Sequence, residues 1–193
     1  MDLHRIQLKF YLNPPGELAP AEVFRIFSAW IPQTPDQTLI DVADYSHVPN
    51  GPLTVLVGHQ ANYALDRSDE RLGLLYARKQ SLGGTLAESL REALREALKA
   101  CRRLEGESEL AGRVSFAGGE FLLVANDRLQ APNTEETLQT LAADLDPLLA
   151  RLYRGAALKI ARDPDPRQRF NLRVEAGTSF AVAELLQNLE AGA

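Results

Sequence analysis

The sequence predicts an α+β fold, a largely antiparallel sheet with helices packed mainly on one face. Two observations carry this reading. Several alternating or β-rich segments follow one another across links far too short for a parallel crossover, which needs a dozen or more residues. Helix-period stripes interrupt these segments at intervals, as hairpins covered by helices require. The expected order is β-α-ββββ-α-ββ-α-ββ-α over one domain of 193 residues. A polar connector after the long central helix marks a possible subdivision into 1–106 and 111–193.

In the first segment Ile6, Leu8, Phe10 and Leu12 alternate with Gln7, Lys9 and Tyr11, the pattern of a half-buried strand. Asn13-Pro14-Pro15-Gly16 ends it, because proline offers no ladder donor. Pro20 suits the first turn of a helix that carries Val23, Phe24, Phe27, Trp30 and Ile31, with Pro32 and Pro35 as stops. A Trp and two Phe on one stripe read as core rather than as a ligand box.

Four strands are expected at 38–45, 52–59, 61–66 and 71–78. The run LTVLV at 53–57 is apolar on both faces, so its strand is expected to be central and covered on both sides. Asn50-Gly51 and Arg67-Ser68-Asp69 supply turn chemistry. The longest helix, 86–104, opens on the capping box Thr85 to Glu88 and buries Leu90, Leu94, Leu98 and Cys101. Its outer rows of Glu88, Glu92, Glu96 and Arg91, Arg95, Lys99 compensate one another in solvent.

In the second half, Gly118-Gly119 predicts a hairpin of 112–117 with 120–126. Asn133 with Glu136 is expected to cap a helix that Asp146-Pro147 breaks into two. A second hairpin, 156–162 with 168–175, and a helix over 179–190 complete the chain.

Composition removes several function classes. The net charge of −5 argues against nucleic-acid binding and against an anionic membrane surface. One cysteine, Cys101, allows neither an internal disulfide nor a Cys-based zinc site. MDLHRIQLKF has no apolar signal region and no run approaches membrane-spanning length, so a cytoplasmic protein is expected. Walker, dinucleotide-binding, nucleophile-elbow and zincin motifs are all missing, and no cofactor can be assigned.

Two groups of residues retain chemical interest. The first is Asp41, Asp44, His47, His59, Tyr63 and Asp66. A hairpin of 38–45 with 52–59 places residue 45 near 53 and residue 41 near 57. The two histidines then lie about 20 Å apart at ~3.3 Å per residue, too far to share a metal. The same register puts Asp41 and His59 on one face as diagonal neighbours. Such a pair, with Tyr63 nearby, can serve acid–base catalysis, or it can be a histidine satisfied by an aspartate inside a sheet. The second group is the loop Gly83-Gly84-Thr85 with Arg78 and Lys79, where free amides at a helix start can hold an anion. The same loop is also an ordinary turn and cap, whose amides Glu88 can occupy. An outward row of Arg167, Arg169 and Arg173, joined by Arg5 and Lys9 if the terminal strands are neighbours, is a third surface of note.

With no catalytic motif, the sequence favours a non-enzymatic binding or assembly protein that associates with itself, for instance as a homodimer, through a sheet face or edge. The alternatives are a small enzyme using His59 and Asp41 on an anionic substrate, and a regulatory domain binding a small anionic ligand at the start of helix 86–104.

Overall fold

The structure is a computed structural model and describes residues 3, 5–81, 83–110 and 112–191. In chain order the elements are β1 (Ile6–Leu12), α1 (Pro20–Gln33), β2 (Leu39–Asp44), β3 (Pro52–Gly58), β4 (Ala61–Asp66) and β5 (Gly73–Arg78). They continue with α2 (Leu86–Glu105), β6 (Phe116–Ala125), α3 (Glu135–Leu152), β7 (Leu158–Arg162), β8 (Asn171–Ala176) and α4 (Val182–Glu190). The strands form one eight-stranded sheet in the order β2-β3-β4-β5-β1-β6-β8-β7. Every neighbouring pair is antiparallel. β1 joins β5 to β6, so the two halves of the chain share this sheet.

Residues opposite one another in the ladder share a face. Leu8 faces Tyr76 and Leu123, and Phe10 faces Leu74 and Phe121. This face meets the helices: α1 packs on β2 and β3, α2 on β1 and β5, and α4 on β6, while α2, α3 and α4 touch one another. On α2 the stripe Leu90, Ala93, Leu94, Ala97, Leu98, Cys101 and Leu104 is buried. The opposite face bears Val57, Ala77, Leu75 and Leu122 between polar neighbours, all half-buried.

Three local expectations are corrected. Gly118 and Gly119 do not turn the chain, and a single strand, β6, runs through them where a hairpin was expected. A Cβ on Gly118 would lie 2.3 Å from the Phe180 carbonyl oxygen, and one on Gly119 would lie 2.7 Å from that of Thr178. The glycines therefore admit the segment before α4 against the strand, a tertiary demand that imitates a turn in the sequence. Helix α3 passes through Pro147 unbroken, since Leu145, Leu148, Leu149 and Leu152 keep one buried stripe across it. Its cap is Thr134, whose Oγ1 accepts from the Thr137 amide. Asn133 instead donates to the carbonyls of Asp163 and Asp165.

β3 is one strand in from an edge rather than central. β6 separates β1 from β8, so Arg5 and Lys9 do not extend the arginine row directly. Lys9 is in fact 1% exposed.

Candidate functional site

The β2–β3 register matches the sequence expectation at its start, with Asp41 opposite Val57 and the Tyr45 amide donating to Leu53. It then shifts between Leu39 and Asp41, so that Leu39 lies opposite Gly58 and the His59 amide donates to Thr38. His59 and Gln60 form the two-residue turn between β3 and β4. Gly58 permits that turn, because a Cβ there would lie 2.5 Å from the Ala61 oxygen. These features separate the expected pair. The exposed His59 ring meets Gln80 at 2.9 Å, and Asp41 accepts from its neighbour, the Val42 amide. His47 stacks on Tyr45 beside the β2–β3 turn, and Asp44 caps the same turn through the Ser46 amide. Among the described residues no three His, Cys, Asp or Glu side chains converge on a point that could hold a metal ion.

Tyr63 lies elsewhere, on the helix-facing side of β4 opposite Tyr76. Its hydroxyl donates to Gln37 Oε1 at 2.9 Å, and Gln37 Nε2 donates to Glu96 at 2.7 Å. Burial pushes the Tyr63 hydroxyl pKa upward, and the nearby Glu96 charge adds to the effect.

Tyr63 borders two adjoining clefts between the α1–β2 loop, the sheet and α2. One, of about 190 Å³, is floored by Trp30. The Arg103 guanidinium stacks on Trp30 at 4.4 Å while donating to Thr34, and Trp30 Nε1 donates to Glu107. The other, of about 220 Å³, reaches Tyr76 and Arg78. Sequence reasoning missed this neighbourhood. One signal for it was available: Tyr76 and Arg78 share parity on β5, which puts an arginine on the apolar face.

The loop before α2 is closed on itself. Glu88 Oε2 accepts from the Thr85 amide at 2.7 Å and from Thr85 Oγ1 at 2.9 Å, while Thr85 Oγ1 accepts from the Glu88 amide. These bonds hold the Glu88 carboxyl below its ordinary range. Gly83 and Gly84 adopt positive φ, and a Cβ on Gly84 would lie 2.5 Å from Glu88 Oε2. The helix's own glutamate thus sits where an anion would bind. Lys79 is exposed and contributes its backbone amide to the Gln60 carbonyl. Of the five residues expected to share one anion site, Arg78 alone belongs to a cleft with Tyr63.

The sheet's two edges are the remaining feature. β2 and β7 are its first and last strands. Of the exposed large hydrophobic side chains, Ile40 and Ile160 lie on these strands, Tyr45 and Val48 beside β2, and Phe24 on α1, which covers β2, while Leu129 follows β6. Ile40 is 58% exposed. Asp41 and Asp44 are the charged residues of β2. Those of β7 are Lys159, which pairs with Glu175 at 3.2 Å, and Arg162, which donates to Asn133 and lies 3.8 Å from Glu135.

Comparison with known proteins finds no matching family model and no similar curated protein. Function must therefore be argued from this geometry.

Proposed function

We propose that the protein is a non-catalytic binding and assembly protein that joins copies of itself by continuing its sheet, edge to edge. One observation carries this reading: β2 exposes Asp41 and Asp44, β7 exposes Lys159, and each of these two open edges exposes an isoleucine. Eight strands alternating in direction leave β2 and β7 antiparallel to one another. A second copy in the same orientation can then set its β2 beside the first copy's β7, extending the ladder with the helices still on one face. In that arrangement Asp41 and Lys159, which both lie on the face without helices, can come opposite one another, whereas Asp44 and Arg162 share the helix face out of that register. Pairing β2 with another β2 would instead oppose acid to acid, which is unfavourable across a ladder. The charges therefore reject like edges and select unlike ones, a use of edge charge beyond protection against aggregation.

The smallest product is a dimer with one edge of each sign still open. A pair of five- and six-residue strands is short for a standard interface of roughly 1,600 Å², so the association is reversible. Light scattering across a dilution series should show mass rising with concentration. The rise should weaken in high salt, which screens exposed charges beyond ~8 Å already at 0.15 M. A constant monomer mass at millimolar concentration and low salt would refute the proposal. Association that salt strengthens would point to the uncovered sheet face instead.

A further inference from the structure

We infer that Arg78 and Tyr76 form a binding site for a small monocarboxylate, in the cleft between β4, β5 and α2. Two cationic side chains are buried among the described residues, Lys9 and Arg78. They are treated differently. Lys9 is held by two carboxylates, Asp66 and Asp69. Arg78 is 9% exposed and has no carboxylate partner. Its Nε donates to the Gln80 carbonyl at 2.8 Å and its Nη1 donates to the Tyr76 hydroxyl at 3.2 Å. Nη2 donates to no protein group, yet it is not sealed from solvent. A guanidinium withdrawn from water without a counter-ion is costly unless something else supplies the negative charge.

Tyr76 completes the site. Its hydroxyl accepts from Arg78 and has no acceptor for its own proton. Burial raises its pKa, so the proton stays on and remains available to donate. Arg78 Nη2 and Tyr76 Oη thus offer two donors and one positive charge on the wall of one cleft, the complement of a single carboxylate. The cleft contains a third donor, Arg95 Nε, which is buried without a hydrogen-bond acceptor and lies 3.8 Å from Glu96 Oε1. Three carboxylates also line it: Glu92 binds Arg95 at 2.8 Å, Glu96 binds Lys99 at 3.0 Å, and Asp36 acts on Tyr63 and Arg103 rather than on Tyr76. Among the described cations that line the cleft, Arg78 is the one with no carboxylate within ion-pair distance. A phosphate dianion would bring a second negative charge toward the two glutamates, whereas a monocarboxylate does not. The rings of Tyr63 and Tyr76, tilted with centroids 5.4 Å apart, offer an apolar wall for the ligand's body. At about 220 Å³ the cleft is smaller than the ~300 Å³ lower bound of a drug-sized site, which limits the ligand to a small molecule.

The test is calorimetric titration of the full chain with benzoate and acetate, with inorganic phosphate alongside, and thermal melts of ligand-free variants. Wild type should bind benzoate more tightly than acetate, and both more tightly than phosphate. Arg78→Gln should abolish benzoate binding, and Tyr76→Phe should weaken it roughly tenfold, the value of a hydrogen bond to a charged group. Without ligand, Arg78→Met should melt at or above the wild-type temperature, because an unpaired buried charge is removed. Failure of wild type to bind either carboxylate would overturn the inference. So would tighter binding of phosphate, unaltered binding by Arg78→Gln, or a marked loss of ligand-free stability in Arg78→Met. Tyr76→Phe keeps the ring in the core, so unaltered benzoate binding there would overturn it even if neither Arg78 variant folds.

Discussion

Lys9 shows how much a single residue's surroundings decide. On β1 it belongs to the face without helices, yet the β4–β5 turn folds over it, so that its Nζ donates to Asp66 Oδ2 at 2.6 Å and to Asp69. Tyr11 donates to Asp69 at 2.6 Å, and Arg71 stacks on the Tyr11 ring at 3.8 Å. Glu120 ties Arg71 to Arg173 across β6 and β8. The network is satisfied internally, which marks it as a clamp on the turn rather than a reactive centre. Lys9→Met should cost about 3–5 kcal/mol in urea unfolding, because it strands the Asp66 carboxylate out of water. Adding Asp66→Asn should recover part of the loss. The clamp also sets an acid limit. Burial pushes the Asp69 carboxyl up, but hydrogen bonds from Lys9 and Tyr11 outweigh it and hold the group below the usual aspartate range. Bonds from Arg71 likewise lower Glu120. Groups depressed on folding stabilise above their unfolded pKa values and lose that contribution as pH falls through the folded ones. Urea midpoints should therefore hold steady near neutrality and drop below about pH 4.

At the scale of elements, much was legible where periodicity and turn chemistry agree. The β2–β5 meander, the Thr85–Glu88 cap and the buried stripe of α2 all follow from local pattern. The misreadings at Gly118-Gly119 and Asn133 share one cause, a tertiary contact that local sequence does not carry. Gly118-Gly119 imitates a turn because the chain near Phe180 crosses there. Gly118→Ala should destabilise by roughly 1–3 kcal/mol through overpacking, visible as a lowered urea midpoint with an unchanged slope. Gly83→Ala, with open space around its Cβ, should cost less, through its positive φ alone. The candidate site divides in the same way. Strand parity alone placed Asp41 beside His59, but the register shift in β2 and the His59 turn undid it. Arg78 was assigned to the loop that follows it rather than to the face its parity dictates.

At the scale of the whole molecule, a sheet of eight alternating strands leaves two edges that run in opposite directions, one exposing Asp41 and Asp44 and the other Lys159. Neither edge is unusual alone, but together they are self-complementary from one copy to the next. The most direct test is a mixing experiment followed by sedimentation velocity. Asp41→Lys with Asp44→Lys makes both edges basic, and Lys159→Glu in a second protein removes the exposed lysine of β7 and adds acid. Each variant alone should sediment as a monomer under conditions where wild type associates, and an equal mixture should regain the larger species. Association of either variant alone at wild-type levels, or a mixture that stays monomeric, would contradict edge-to-edge assembly.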